Sequence, residues 1–180
     1  ALPQLLPAMD TEAVARLQAE SERIGIRIKT AVNLKRIETA GGRLRVVFVH
    51  DGREQALDAD RVVNGAGRVA DIDGLDLDRG NVAHDRGRIS LDRHLRSTSN
   101  PQISVCGDAV PTSPQLSPLA TYEGDIVGRN IVEGPKHSPD YTGMATSVYT
   151  VPALAAVGLT EAAARDGQRP IDVHVNDMHD

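Results

Sequence analysis

A chain of 180 residues, 40% hydrophobic and 25% charged, has room for one full core or two small ones. A formal net charge of −5 without basic runs excludes a phosphate-neutralising nucleic-acid surface, and three Tyr, one Phe and no Trp exclude a base-stacking platform. One cysteine excludes an internal disulfide, no apolar run is long enough for a membrane span and no signal peptide is visible, so a cytoplasmic setting is expected.

The chain opens on Ala1 rather than Met, and the expectation is a truncated or processed piece. Asp10 is placed to cap a helix running to about Ile24, with Val14, Leu17 and Ile24 at helical spacing, Glu12 in the first turn and Gly25 as the stop. A short strand is expected over 26–29. Strands over 32–39 and 44–50 then flank Gly41-Gly42, and Asp51-Gly52 makes a tight hairpin into a strand over 55–59. One more apolar strand is expected over 61–64.

Residues 71–81, rich in Asp and Gly, read as a connecting loop, and 88–91 as a short strand. Residues 95–101 lead into the apolar strand Ile103-Ser104-Val105-Cys106, which ends in Gly107-Asp108. Ser117 at N-cap and Pro118 at N1 open a helix whose apolar side carries Leu119, Tyr122, Ile126, Val127 and Ile131, and Gly134-Pro135 ends it. After a linker over 136–141, extended segments are expected over 146–149 and 154–157. Thr160 caps a short helix to Arg165, and 171–175 form a final strand.

Gly107, lacking a Cβ, leaves room for a ligand against the backbone, and Asp108 stands at the carboxyl end of its strand, where open α/β sheets bind ligands. Its carboxylate can accept hydrogen bonds from sugar or polyol hydroxyls. The start of the Ser117 helix offers unpaired N–H groups and a positive dipole end to a group that gathers negative charge. Gly65-Ala66-Gly67-Arg68-Val69-Ala70 satisfies the G-x-G-x-x-A pattern, but the sequel Asp71-Ile72-Asp73-Gly74 has no helical period, so a domain-crossover turn is expected instead of a dinucleotide loop. Cys106 is read as a small buried hydrophobe, Tyr122 as a core tyrosine and Glu123 as a surface glutamate. His174 and His179 with Asp177 and Asp180 read as a frayed polar terminus, not a metal cluster.

The run from Ile103 to Asp108, followed by Pro114-Gln115-Leu116-Ser117-Pro118-Leu119-Ala120, resembles the flavin-proximal motif of the pyridine nucleotide–disulfide oxidoreductases. These are the glutathione reductase, dihydrolipoamide dehydrogenase and mercuric reductase family. Gly65-Ala66-Gly67-Arg68 stands where that family has an Ala-Thr-Gly-Arg turn, although Ala70 and Asp71 replace its usual Pro and Asn. Val148-Tyr149-Thr150-Val151-Pro152 through Thr160-Glu161 resembles the approach to its dimerisation domain.

The resemblance implies an α/β fold, α+β at the C-terminal end: part of a two-dinucleotide-domain flavoprotein. Residues 1–70 would be the second half of the NAD(P)-binding domain, 71–139 the closing segment of the FAD-binding domain and 140–180 the start of the dimerisation domain. Asp108 would hold the ribityl chain of FAD, and 116–120 would face the pyrimidine edge of the isoalloxazine. The cofactor-binding set is thus Gly67, Arg68, Gly107, Asp108, Gln115, Leu116, Ser117 and Ala120, with no catalytic and no metal-binding residue assigned.

The family reaction passes a hydride from NAD(P)H to FAD, then to a dithiol, then to substrate. It uses two glycine fingerprints, a paired-cysteine motif and a His-Glu pair from the partner subunit, and none of these is found in the chain. The expectation is therefore one part of a homodimeric, FAD-dependent, NAD(P)H-linked oxidoreductase, inactive alone, with wording closest to mercuric reductase-like or dihydrolipoamide dehydrogenase-like members. Two alternatives stay open: a non-catalytic truncated protein that keeps a dimerisation surface, and one subunit of a split flavoenzyme completed by a complementary N-terminal chain.

Overall fold

The computed structural model describes residues 2–168 and 170–176. In chain order the elements are α1 (Thr11–Arg23), β1 (Asn33–Ala40), β2 (Arg43–His50), β3 (Arg53–Ala59), β4 (His84–Asp85), β5 (Arg88–Ile89), α2 (Ser117–Glu133), β6 (Ala145–Val148), β7 (Leu154–Val157) and α3 (Glu161–Asp166). Two single 3-10 turns, Asp73–Leu75 and Gly107–Ala109, add to these. Helices alternate with small sheets, an α/β chain that turns α+β at its C-terminal end. The chain divides into two units, one of residues 65–142 and one built from 1–64 together with 143–180.

In the discontinuous unit, α1 starts as its sequence dictates. Asp10 is extended, and its Oδ1 accepts the Glu12 N–H at 3.0 Å, while Val14 and Leu17 are buried. The other oxygen of Asp10 accepts the Glu161 N–H at 3.2 Å, so one carboxylate serves the starts of both α1 and α3. The Thr160 hydroxyl also caps α3, accepting from Ala163 N–H at 3.2 Å. Strands β1, β2 and β3 form an antiparallel meander in that order. Its turns need positive φ at both central residues, which Gly41-Gly42 and Asp51-Gly52 provide. β6 and β7 make a separate antiparallel pair.

In the 65–142 unit the core is Ile72, Val82, Ile89, Leu95, Val105 and Val110, with Val127 of α2 packed against it. Regular strand is scarce here. β4 and β5 pair over two residues each, and a narrow antiparallel contact joins Ser97 N–H to the Ile103 carbonyl at 2.8 Å and Val105 N–H to the Leu95 carbonyl at 2.9 Å.

Four expected strands are absent for one physical reason: a strand exists through its neighbour's hydrogen bonds. Residues 26–29 and 61–64 join no ladder, and the Ile26 N–H goes back to the Ser21 carbonyl. Residues 103–108 shrink to one bridge, between Ser104 and Arg96, before the chain coils into the Gly107–Ala109 turn. Residues 171–175 are likewise unpaired.

The start of α2 also differs from expectation. Leu116, extended at φ −127°, is the N-cap; Ser117 is already helical and makes no capping bond. Gly134, at φ +86°, ends the helix as foreseen. Ile131 is 72% exposed, because the buried stripe of α2 runs Leu119, Glu123, Ile126, Asn130 and turns away from it. Glu123 is thus at the centre of the buried face, not on the surface, and Tyr122 is half-buried beside it. Cys106 is exposed, since the turn at Gly107 lifts it out of the apolar strand expected there. Among the described residues no helix is long and apolar enough to cross a membrane. His179, Asp177 and Asp180 lie outside the described residues, and His174 lies in the unpaired 170–176 stretch.

Candidate functional site

The site is assembled in the 65–142 unit, around the turn at Gly107. That residue has φ +70°, a conformation natural to glycine. A Cβ at this position would stand 3.3 Å from the Cβ of Ala120 on α2, so both backbone geometry and space call for glycine. Gly107 and Ala120, two residues of the expected set, therefore face each other with no room for a side chain between them.

Asp108 follows, with its side chain about half exposed at 51%. Its Oδ2 accepts from the Arg68 guanidinium at 2.8 Å. Arg68 also donates to the Gln115 carbonyl at 3.0 Å and to Gln115 Oε1 at 3.4 Å, while Gln115 Nε2 donates to the Asp108 carbonyl at 3.2 Å. A closed ring of three residues, completed through the Asp108 carbonyl, thus ties the 65–70 loop to the 107–115 segment. Gly67, at φ +106°, provides the bend that delivers Arg68 to it. Being exposed, the Arg68–Asp108 pair adds little to stability and acts mainly to orient.

Beside this ring is a cleft of about 280 Å³ lined by Arg68, Arg86, Arg88, Asp108, Pro111 and Gln115. Leu116 is half-buried and Ser117 exposed, and the first turn of α2 has no side-chain cap. Because Pro118 has no N–H, the first-turn amides left for a ligand are those of Ser117 and Leu119. All eight residues singled out in the sequence fall in this one neighbourhood of one unit.

Two residues that the sequence reading left out complete the site. Glu123 is fully buried; its Oε2 accepts the Gly107 N–H at 2.6 Å and its Oε1 accepts the Tyr141 hydroxyl at 2.7 Å. Burial and the neighbouring Glu123 carboxylate both push the Tyr141 phenol well above its ordinary range. The available signal was spacing: Leu119, Glu123, Ile126 and Asn130 recur at four, three and four residues, the interval of one helix face.

The arrangement suits part of a flavin nucleotide. A half-exposed carboxylate can accept polyol hydroxyls, a glycine turn packed against α2 holds that carboxylate in place, and an uncapped helix start favours negative charge. Among the described residues no cluster of three or more His, Cys, Asp or Glu side chains is disposed to hold a metal ion.

Comparison with known proteins places this geometry in a family. The profile of the pyridine nucleotide-disulphide oxidoreductases matches residues 1–124. A dihydrolipoyl dehydrogenase of Cupriavidus necator is 35% identical over 164 residues, covering 90% of this chain and 34% of that protein. A mercuric reductase of Streptomyces lividans is 32% identical over 139 residues, covering 77% of this chain and 29% of that protein. Among solved structures, the Cu(II) complex of a variant of the HOCl-induced flavoprotein disulfide reductase RclA of Escherichia coli superposes with a TM-score of 0.79. Its identity is 26%, over 93% of this chain and 37% of the other. The chain spans about a third of the length of the curated relatives it matches. With the matched region covering well over half of its residues and running through the Gly107 turn into α2, the chain belongs to the pyridine nucleotide-disulphide oxidoreductase family.

Proposed function

We propose that this chain provides one wall of the FAD site of an NAD(P)H-linked oxidoreductase, in which hydride passes from the nicotinamide to the flavin and on to a disulfide or similar acceptor. The observation that carries this reading is the Gly107 turn seated on Ala120, which holds the half-exposed Asp108 carboxylate beside the uncapped start of α2. When bound, FAD would supply the two-electron acceptor. Asp108 would accept hydrogen bonds from the ribityl hydroxyls, with Arg68 and Gln115 orienting it. The amides and dipole at residues 116–120 would favour negative charge at the pyrimidine edge. Gly67 would keep the Arg68 loop bent toward Asp108.

In this reading 1–70 belong to the NAD(P)-binding domain, 71–139 close the FAD-binding domain and 140–180 begin a dimerisation domain, so that the whole enzyme works as a homodimer. One cysteine cannot form a dithiol, so these 180 residues would not turn over NAD(P)H with a disulfide on their own. The test is titration with FAD, followed by flavin absorbance and fluorescence. It is run with the chain alone and with a complementary family chain carrying the glycine fingerprints. Wild type should bind, alone or in the mixture, and Asp108→Asn should bind about tenfold more weakly, the loss of one charge-assisted hydrogen bond. Equal affinity for both would refute the assignment of Asp108. Disulfide reduction by the chain alone with added FAD and NAD(P)H would refute its dependence on further sequence.

A further inference from the structure

The Glu123 carboxylate is fully buried, and both of its hydrogen-bond partners are neutral donors. Burying a charge is costly unless it is well hydrogen-bonded. Its neighbours on the same stripe of α2, Leu119 and Ile126, are apolar, so an aliphatic side chain would suit the packing of that face. A carboxylate here is therefore explained by what it holds.

It holds the Gly107 N–H, the amide immediately before Asp108, at 2.6 Å. The Cβ-less face of Gly107 meets Ala120, three residues before Glu123 on the same side of α2. The turn is thus clamped at two points by one helix face. The Tyr141 hydroxyl, 2.7 Å from the second carboxylate oxygen, fixes how that carboxylate is rotated. The raised phenol of Tyr141 remains a proton donor through the neutral range, which keeps the orientation constant.

We infer that Glu123 is a positioning residue for the flavin site: through the Gly107 amide it sets where the Asp108 carboxylate stands, and Tyr141 orients it. This rests on the flavin reading above. Glu123 touches no substrate or reacting atom in this role, and no proton moves.

The experiment uses the full chain, ¹⁵N-labelled, with amide exchange of Gly107 as one readout and FAD affinity as the other, the complementary chain being present if wild type needs it. In wild type the Gly107 amide should resist exchange. Glu123→Gln keeps an oxygen for that amide and gives Tyr141 an N–H to accept, so protection should persist and affinity stay within about threefold. Glu123→Leu keeps the volume and removes the acceptor, so protection should vanish and FAD affinity fall about tenfold. Should Glu123→Leu fail to fold, Glu123→Asp, one methylene shorter, should show the same two losses. A freely exchanging wild-type Gly107 amide, or a Leu or Asp variant that binds FAD as wild type does, would overturn the role. Absence of FAD binding by wild type in both settings would sink the flavin reading instead, and the exchange of Gly107 would still report on the clamp alone.

Discussion

The two units meet their backbone hydrogen-bonding needs in opposite ways. In the β1–β2–β3 meander the ladder pairs both sides of β2 and the inner side of β1 and β3, and charged side chains decorate the outside, as in Arg45 to Asp58 at 2.7 Å and Arg43 to Asp60 at 2.8 Å. The 65–142 unit has little ladder, so buried or half-buried side chains take over that work. Glu123 accepts the Gly107 amide, and Asp92 Oδ1 accepts the amides of His94 and Arg96 at 2.8 and 3.0 Å. Asn130 Oδ1 accepts those of Lys136 and His137 at 3.0 and 2.9 Å. The lesson is that irregular backbone stays ordered when polar side chains stand in for missing strands. It follows that single polar substitutions should matter far more in one unit than in the other.

The largest effect should come from the hydrophobic support of that polar framework. Leu119, 2% exposed at the centre of the α2 stripe, should cost about 3 kcal/mol on truncation to Ala, read from the urea dependence of amide exchange within 65–142. Asn130→Ala comes next. It removes two acceptor bonds and the donation to the His137 carbonyl at 2.9 Å, and should cost about 2 kcal/mol by the same measurement. A loss much smaller than this would mean that water replaces the side chain and that the contrast between the units is overstated.

Asp92 offers a pH-dependent test. Burial pushes its carboxyl up, but hydrogen bonds from the Arg96 backbone, the Arg96 guanidinium and the His94 backbone outweigh that and hold it below the usual 3.8. A depressed native value means that the stabilisation is full above about pH 3.8 and is lost as pH falls through the native value. Unfolding curves of the 65–142 unit between pH 6 and 2 should therefore show an acid decline that is shallower in Asp92→Asn. The smallest effect should be that of Arg45→Ala in the meander: no measurable shift in melting temperature, because its ion pair with Asp58 is solvated. A clear destabilisation there would break the comparison from the other side.

What could be read from the sequence follows the same divide. α1 with its Asp10 cap, the two glycine turns, the span of α2 and the Thr160 cap are local signals, carried by residues a few positions apart. The proposed site set of Gly67, Arg68, Gly107, Asp108, Gln115, Leu116, Ser117 and Ala120 could be named from the sequence because its members lie close together, at 67–68 and within 107–120. Strands over 26–29 and 61–64 were over-read, since apolar residues mark a segment that can pair without showing that a neighbour is present. Glu123 was misplaced because charge argues for the surface, and only the distant Gly107 amide and Tyr141 hydroxyl make burial tolerable. Ser117 gave way to Leu116 as N-cap by one position, the ordinary margin for a helix end.

The double cap at Asp10 has a consequence for how the chain comes together during synthesis. Its bond to Glu161 spans 151 residues, so α1 leaves the ribosome with half of its carboxylate's duty unmet. All of 65–142, a compact unit by itself, is made in the interval. The inner unit can therefore mature first. The other unit waits for residues 143–180 to arrive, so the start of α1 is completed by a residue made 151 positions later.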